Sequence, residues 1–215
     1  VPRPFAVEGK CTRQAEEGID KLKDKVDALL VIPHERMQYI GPEITIATAI
    51  TMERGYETAN KVLCQAVKGI SDLINIPGTV NLDFADVVSL MKGAGFAHIG
   101  LGRAKGEGCA ERAMQEAIVS PLLEASIHST KGIIASIRAR SDFSLEDIDK
   151  AVTMLFDAAS EKVNLLWGVR LDKDLEEDAR IMLIVADSGE MAKPVAADAA
   201  QASSTNDTAT LKEEI

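Results

Sequence analysis

Apolar positions in the first third of the chain follow a helical spacing and then form a short continuous run. Between residues 11 and 28 the apolar side chains recur at spacings of four and three with charged residues between them, which predicts an amphipathic surface helix. They are Ala15, Ile19, Leu22 and Val26. The run 28–32, stopped by Pro33, predicts a buried strand. Helix followed by buried strand is half of an α/β unit and indicates a parallel sheet covered on both faces.

The longest periodic segment predicts a long helix from about Ile44 to Ile76. At ~1.5 Å per residue it would measure roughly 45–50 Å. Gly55 is a weak point within it, and Pro77 and Gly78 end it. Both sides of this helix carry apolar residues, so we expect it to pack between two subdomains. The apolar positions are Ala59, Val62, Leu63, Ala66, Val67, Ile70, Leu73 and Ile74.

The remainder of the chain predicts a four-stranded α+β sheet with helices on one or both faces. A short helix runs from Asp83 to about Lys92, and Ser144 with Asp147 forms a capping-box pattern ahead of a later helix. The predicted strands are Phe96–Leu101, Gly132–Arg138, Asn164–Arg170 and Ala179–Ala186, with helices at about Glu107–Val119 and Leu145–Ala158. Residues 190–215 are rich in Ala, Ser, Thr and Asp and predict a disordered linker.

Composition restricts the classes of partner. The chain has 215 residues and a net charge of −10, which argues against nucleic acid or an anionic membrane as a partner. No apolar run approaches the ~20 residues of a membrane span, so direct membrane insertion is not expected. Three widely separated cysteines, Cys11, Cys64 and Cys109, suit a reducing compartment. The start at Val1, without a signal or transit peptide, indicates the middle of a longer cytoplasmic protein.

The strongest candidate for chemistry is the acidic pattern of Asn81, Asp83 and Asp86, directly after the long helix. Asp83 can cap the next helix, which leaves Asp86 at its third position, and both carboxylates then lie beside the positive helix end. Capping alone explains acids at these positions. Two carboxylates one helical turn apart can also orient and deprotonate a water molecule. Spacing does not choose between these roles.

The other candidates are weaker. Residues 100–106 are glycine-rich but lack the spacing of known phosphate loops, and a strand-to-helix turn is the simpler interpretation. His34 follows a strand end, where α/β sheets bind ligands, but a solvated turn residue is the preferred interpretation. His98 and Trp167 lie in predicted strands and are interpreted as packing residues, and His128 falls in a loop. No cysteine–histidine cluster predicts a metal site.

Over about residues 1–190 the sequence resembles FtsZ, the tubulin-like GTPase of cell division. The matching stretches are 3–9 (RPFAVEG), 26–33 (VDALLVIP), 65–74 (QAVKGISDLI), 77–87 (PGTVNLDFADV) and 120–124 (SPLLE). The resemblance implies a tubulin/FtsZ-like α/β fold, in which the remnant of a parallel GTPase subdomain (1–43) is joined by a long core helix (44–76) to a carboxy-terminal subdomain (87–189). It also implies subunits that stack head to tail into the division ring, with GTP or GDP and Mg²⁺ bound by the intact protein and division-ring proteins as partners.

By the same resemblance, the loop 77–86 of one subunit enters the GTP site of the next. There Asp83 and Asp86 would act on the attacking water, and Asn81 would order the phosphate end. Glu8, Tyr56 and Asn60 fall where the family contacts the nucleotide. The family's glycine-rich phosphate loops lie upstream of this chain, so we expect the chain alone to be inactive.

Several positions depart from the family pattern. Thr12 replaces an arginine, His34 an asparagine and Asn60 an aspartate, and the stretch 34–56 is about five residues longer. These departures leave a second hypothesis open, a non-catalytic FtsZ-derived modulator that caps or regulates filaments. A bacterial cytoplasm is the expected location, with the plastid stroma as the alternative.

Overall fold

The computed structural model describes residues 1–5, 8–39, 52–123, 127, 130–140, 143–160 and 162–187. Within these ranges the chain forms strands and α-helices in a mixed order, as the sequence pattern predicts. In chain order they are β1 (Pro2–Arg3), α1 (Lys10–Lys23), β2 (Ala28–Leu30), β3 (Ile32–Pro33), α2 (Met52–Asn75), α3 (Phe84–Met91), β4 (Gly95–Ala104), α4 (Cys109–Ile118), β5 (Gly132–Ala139), α5 (Leu145–Ala158), β6 (Asn164–Leu171) and β7 (Ala179–Ala186), with a 3-10 helix at His34–Tyr39 between β3 and α2.

The first helix is shorter than the periodicity suggests, and the first buried strand is divided. Helix α1 ends at Lys23, so Val26 lies beyond it and is 41% exposed. The predicted strand 28–32 becomes two short strands with different partners. β2 pairs in parallel with β4, and β3 pairs in parallel with β1. The break at Val31 lets the chain leave one sheet and enter the other, which a continuous apolar run does not reveal.

The main sheet has five strands in the order β2-β4-β7-β5-β6. The four predicted strands are all present, each within three residues of its expected ends, and β2 adds a fifth at the edge. β7 pairs antiparallel with both β4 and β5, whereas β2–β4 and β5–β6 are parallel pairs. The sheet therefore joins the amino-terminal α/β segment to the carboxy-terminal strands by backbone hydrogen bonds.

Both faces of the sheet are buried. Neighbouring residues along β5 and β7 alternate between two apolar clusters, because successive side chains of a strand point to opposite faces. Ile133 and Leu183 belong to the cluster that contains residues of α4 and α5. Ile134 and Ile184 belong to the cluster that contains residues of α2 and α3. Helices therefore cover both faces, where the sequence pattern left one or both possible.

Helix α2 is the described part of the predicted long helix. Ala59, Val62 and Ala66 are buried in the second apolar cluster, and the helix ends at Asn75, one residue before the predicted end. The predicted first turns of this helix, 44–51, lie outside the described residues. The predicted linker, 190–215, does so as well. The described part places the start of the acidic loop at the end of a rigid element.

The start of α5 carries the predicted cap. The Ser144 Oγ accepts a hydrogen bond of 3.1 Å from the Asp147 backbone N–H and donates one of 2.6 Å to the Asp147 carboxylate. We expect Ser144→Ala to lower the free energy of unfolding by about 1 kcal/mol in urea denaturation, since a helix N-H loses its partner. Thr153→Ala, at an exposed position within the same helix, should not lower it. Equal losses in the two variants would contradict the role of the cap.

Candidate functional site

The loop between α2 and α3 is fixed to the edge strand of the sheet. The backbone N–H groups of Thr79 and Val80 donate to the Val169 carbonyl, at 2.9 and 3.2 Å, and the Val169 N–H donates to the Val80 carbonyl at 3.1 Å. These bonds form an isolated antiparallel bridge between the loop and β6. The segment that carries the acidic residues is therefore held by backbone geometry rather than by side chains alone.

Two glycines allow this close approach. A Cβ at Gly78 would lie 2.6 Å from the Val169 carbonyl oxygen. A Cβ at Gly168 would lie 3.0 Å from a methyl group of Leu73 and 3.2 Å from the Val80 carbonyl oxygen. A side chain at position 78 would push the loop off the strand, and one at position 168 would require Leu73 and the Val80 carbonyl to shift slightly, which gives both glycines a structural reason.

The three predicted catalytic residues lie together on this loop and are exposed. Asp83 is the N-cap of α3, and its Oδ1 accepts a hydrogen bond of 3.0 Å from the Ala85 N–H. Asp86 is in the first turn of that helix. The Asn81 Oδ1 accepts a hydrogen bond of 2.6 Å from the Gly78 N–H. The predicted cap is confirmed. Asp83 and Asp86 together have four carboxylate oxygens, and the cap uses only the Asp83 Oδ1.

Apolar side chains surround the acidic residues on the surface. Phe84 is 57% exposed, Val88 42% and Val80 37%, although Val87 and Leu90 anchor α3 in the core. A protruding aromatic residue between two carboxylates is unusual on a solvated surface and is typical of a contact surface.

A second group of predicted residues gathers near the start of α2. The Glu8 Oε1 accepts a hydrogen bond of 3.0 Å from the Phe5 N–H. A hydrogen bond between Tyr56 and Glu8 raises the pKa of the tyrosine, with burial and the negative charge of Glu8 adding to it. The rings of Phe5, His34 and Tyr56 contact one another with centroids 5.4–5.7 Å apart. The structure thus brings Glu8 and Tyr56 together.

The remaining positions of this group are at its margin. Asn60 is exposed and follows Tyr56 by four residues, on the same side of α2. The half-buried Thr12 donates a hydrogen bond of 3.0 Å from its hydroxyl to the Phe5 carbonyl, so it holds the segment that follows β1.

His34 is buried among these rings, not a solvated turn residue. It is 7% exposed, and its Nδ1 has no hydrogen-bond partner among the described residues. Burial lowers its pKa below the ordinary value of 6.5, and the charge of Glu8 opposes this effect only in part. The imidazole is therefore neutral in the folded chain near neutral pH.

This burial makes stability depend on pH. Below pH 6.5 the unfolded chain binds a proton at His34 that the folded chain does not, so the free energy of unfolding falls as the pH decreases toward the lower folded pKa. We expect the free energy of unfolding of the wild type, measured by urea denaturation, to fall relative to that of His34→Asn as the pH is lowered from about 7.5 to 5.5. Parallel curves for the two proteins would exclude titration of His34 as the cause.

The glycine-rich stretch 100–106 is the end of β4 and its turn toward α4, and it offers no phosphate cradle. The Gly106 N–H donates to the Asp178 carboxylate at 2.6 Å, and Arg140 also binds this carboxylate, at 2.9 Å. The chain's own carboxylate occupies the position that an external anion would need. His98 is buried in β4 and Trp167 is half-buried in β6, as predicted, whereas His128 lies outside the described residues.

Sequence reasoning missed one charged group. Asp72 of α2 lies within 4 Å of two arginines, Arg138 of β5 and Arg170 of β6. The two arginines are directly opposite each other in the β5–β6 register. Each occurs near the end of a predicted strand, but the sequence does not show that these strands are neighbours.

The described residues offer neither a metal-binding cluster nor a membrane-spanning helix. No group of three or more His, Cys, Asp and Glu side chains there is arranged to hold a metal ion. In the same residues, every helix is too short or too polar to span a bilayer.

Comparison with known proteins decides the family. The model described as FtsZ family, C-terminal domain, matches residues 95–189. An empty FtsZ dimer from M. jannaschii is 33% identical over 86% of this chain and 52% of its own, with a TM-score of 0.77. The chain belongs to the FtsZ family. A tryptophan-to-tyrosine mutant of M. jannaschii FtsZ matches equally well, with 33% identity, 86% and 55% coverage and a TM-score of 0.78.

The match to FtsZ confirms the tubulin/FtsZ-like fold predicted from the five sequence stretches. The chain spans about half the length of the solved FtsZ structures that it matches. The part corresponding to the FtsZ carboxy-terminal domain begins at β4 and includes all four predicted strands.

Proposed function

We propose that this chain is part of a GTPase of the division ring that assembles head to tail, and that its loop 77–86 activates GTP hydrolysis in the adjacent subunit. In the intact protein GTP or GDP and Mg²⁺ are the ligands, other division-ring proteins are the partners, and the cytoplasm is the location. The resemblance of the loop and the family membership support this function.

The observation that carries the proposal is the distance between the two groups of site residues. Glu8 and Tyr56 lie near the start of α2, whereas Asn81, Asp83 and Asp86 follow its end. At ~1.5 Å per residue, Tyr56 and Asn75 are about 29 Å apart along the helix axis. A nucleotide beside Tyr56 is beyond reach of the acidic loop of the same copy. The two groups can act on one nucleotide only when copies stack end to end.

The loop residues divide the task by their free atoms. Asp83 uses Oδ1 to cap α3 and retains its other oxygen, and Asp86 is exposed beside it. These oxygens accept protons from a water molecule and orient it for attack on a phosphate. Because the Asn81 carbonyl oxygen is bonded to Gly78, its amide nitrogen remains as a donor to phosphate oxygens. Val169 keeps these groups in place.

The nucleotide-side residues fit the nucleoside part of GTP better than the metal. The Tyr56 ring, positioned by Glu8, offers an aromatic surface to a base. Mg²⁺ normally keeps several waters and binds through phosphates and one or two carboxylates. Bound Mg²⁺ would neutralise charge on the phosphates.

The proposal is tested by adding the purified chain to intact FtsZ subunits that hydrolyse GTP, such as the M. jannaschii protein. We expect binding by sedimentation and activation of GTP turnover. Binding without activation would favour the second hypothesis, the filament-capping modulator. No binding at any concentration up to about 1 mM would overturn the interface on which both functions rest.

A further inference from the structure

Four charged side chains connect the end of α2 to the edge of the sheet. The Asp72 Oδ2 lies 3.5 Å from an Arg170 Nη1 and 3.7 Å from an Arg138 Nη1. Arg138 also donates a hydrogen bond to Asp172, at the end of β6. We call Asp72, Arg138, Arg170 and Asp172 the ionic clamp. Three of its members belong to adjacent strands or the turn after them, and the fourth belongs to the helix.

The clamp is electrically balanced and mostly buried. Side-chain exposure is between 13% and 29% for all four residues. The Arg138 guanidinium, together with the Asp174 N–H, lowers the pKa of Asp172, so this carboxylate is charged at neutral pH. Two positive and two negative charges cancel, and each has an oppositely charged neighbour, while the Arg138 Nε has no hydrogen-bond partner among the described residues.

The clamp is adjacent to the attachment of the acidic loop. Asp72 is three residues before the end of α2, and Arg170 directly follows Val169, which receives the Thr79 and Val80 N–H groups. The cleft between the clamp and the loop has a volume of ≈ 20 Å³, about the space of one water molecule. The clamp and the attached part of the loop therefore line the same narrow cleft.

Apolar packing alone does not fix the position of α2 along the sheet. Leu73, Ile70 and Leu82 join the second apolar cluster, but contacts among aliphatic side chains are not directional and permit sliding by part of a turn. The Asp72 carboxylate, 3.5 and 3.7 Å from two guanidinium groups, is attracted to both, and this attraction adds a restraint on where the end of α2 lies.

We propose that Asp72 is a positioning residue for the acidic loop. Through Arg138 and Arg170 it sets the height of the α2 end on β5 and β6, and so fixes how far Asp83 and Asp86 project toward the next subunit. This inference rests on the proposed function for its catalytic consequence. Its structural part, restraint of the loop by the clamp, stands independently.

The structural part is tested on the chain alone by hydrogen–deuterium exchange. In Asp72→Asn we expect the Thr79 and Val80 amides to exchange about tenfold faster, with exchange in β4 and β7 unchanged. Asp72→Glu, which keeps the charge, should recover most of the protection. Asp20→Asn breaks the exposed pair with Lys23 on α1 and is the matched control, with no effect on the loop. Unchanged loop amides in Asp72→Asn, or faster exchange throughout the chain, would overturn the inference.

The catalytic part is tested by GTP turnover of intact FtsZ subunits with the added chain. Asp72→Asn should reduce activation by about tenfold or more while the Kd for intact subunits stays within about twofold, because misplacement of a reacting group affects rate more than binding. Equal losses of affinity and rate would contradict positioning. If the wild-type chain binds but activates nothing, the proposed function fails, and the exchange experiment still decides the clamp.

Discussion

Replacing Asp86 with alanine should abolish the activation of GTP hydrolysis in a neighbouring subunit while leaving the association of subunits intact. Asp86 is exposed in the first turn of α3, and its side chain is not needed for the cap, which Asp83 provides. General acid–base groups contribute about 10²–10⁴-fold to rate, so we expect a loss of at least about 100-fold in activated turnover. Steady-state phosphate release from mixtures of the chain with intact FtsZ subunits measures it.

The choice of Asp86 separates chemistry from folding. Asp83→Ala would remove the N-cap as well as a carboxylate and is expected to cost about 1 kcal/mol of stability. Asp86→Ala loses only a favourable interaction with the helix dipole, about 0.3–1 kcal/mol. Asp149→Ala, at an exposed position of α5, makes the same change in net charge and should activate like the wild type. Activation by Asp86→Ala at the wild-type level would exclude a catalytic role for this carboxylate.

The largest expected loss of stability is that of Gly102→Ala. Helix α4 crosses β4 so closely that a Cβ at Gly102 would lie 1.9 Å from the Ala113 carbonyl oxygen and 2.7 Å from the Ala117 N. Both are backbone atoms that cannot rotate away, so the helix must move off the sheet. We expect a loss of about 3 kcal/mol and a fall in Tm of roughly 6–12 °C by calorimetry.

Gly18→Ala is the control for this variant. Gly18 lies within α1, and no heavy atom is within 4 Å of a Cβ placed there. Alanine in a helix interior is about 0.5–1 kcal/mol more favourable than glycine, so this variant should be slightly more stable than the wild type. If Gly102→Ala left the free energy of unfolding unchanged, the close contact of α4 with β4 would be wrong.

The elements of the fold were largely predictable because their patterns are local. The period of the apolar residues located α5 and β7 to the residue, and the Ser144 cap marked where α5 begins. The position of Asp83 as an N-cap was also readable, since it depends only on the residues that follow it. The family resemblance of the loop then gave this local feature a function to test.

What the sequence did not reveal depends on contacts between distant segments. The division of 28–33 between two sheets depends on β1 and β4, which are far apart in the chain. The burial of His34 depends on the rings of Phe5 and Tyr56. The ionic clamp requires the register of β5 with β6. In each case the contacting residues are much farther apart along the chain than one helical turn or two positions of a strand.

The position of β7 in the sheet has a consequence for synthesis of the protein. β7 is the last described strand in the chain, yet it is the middle one of the sheet and is paired on both sides. Before residues 179–186 emerge from the ribosome, the other described strands of the main sheet can form only two separate parallel pairs, β2 with β4 and β5 with β6. Each pair then has an open inner edge, the kind of edge that invites association with other chains. The arrival of β7 closes both edges at once, so the sheet is completed only when translation has passed its final strand.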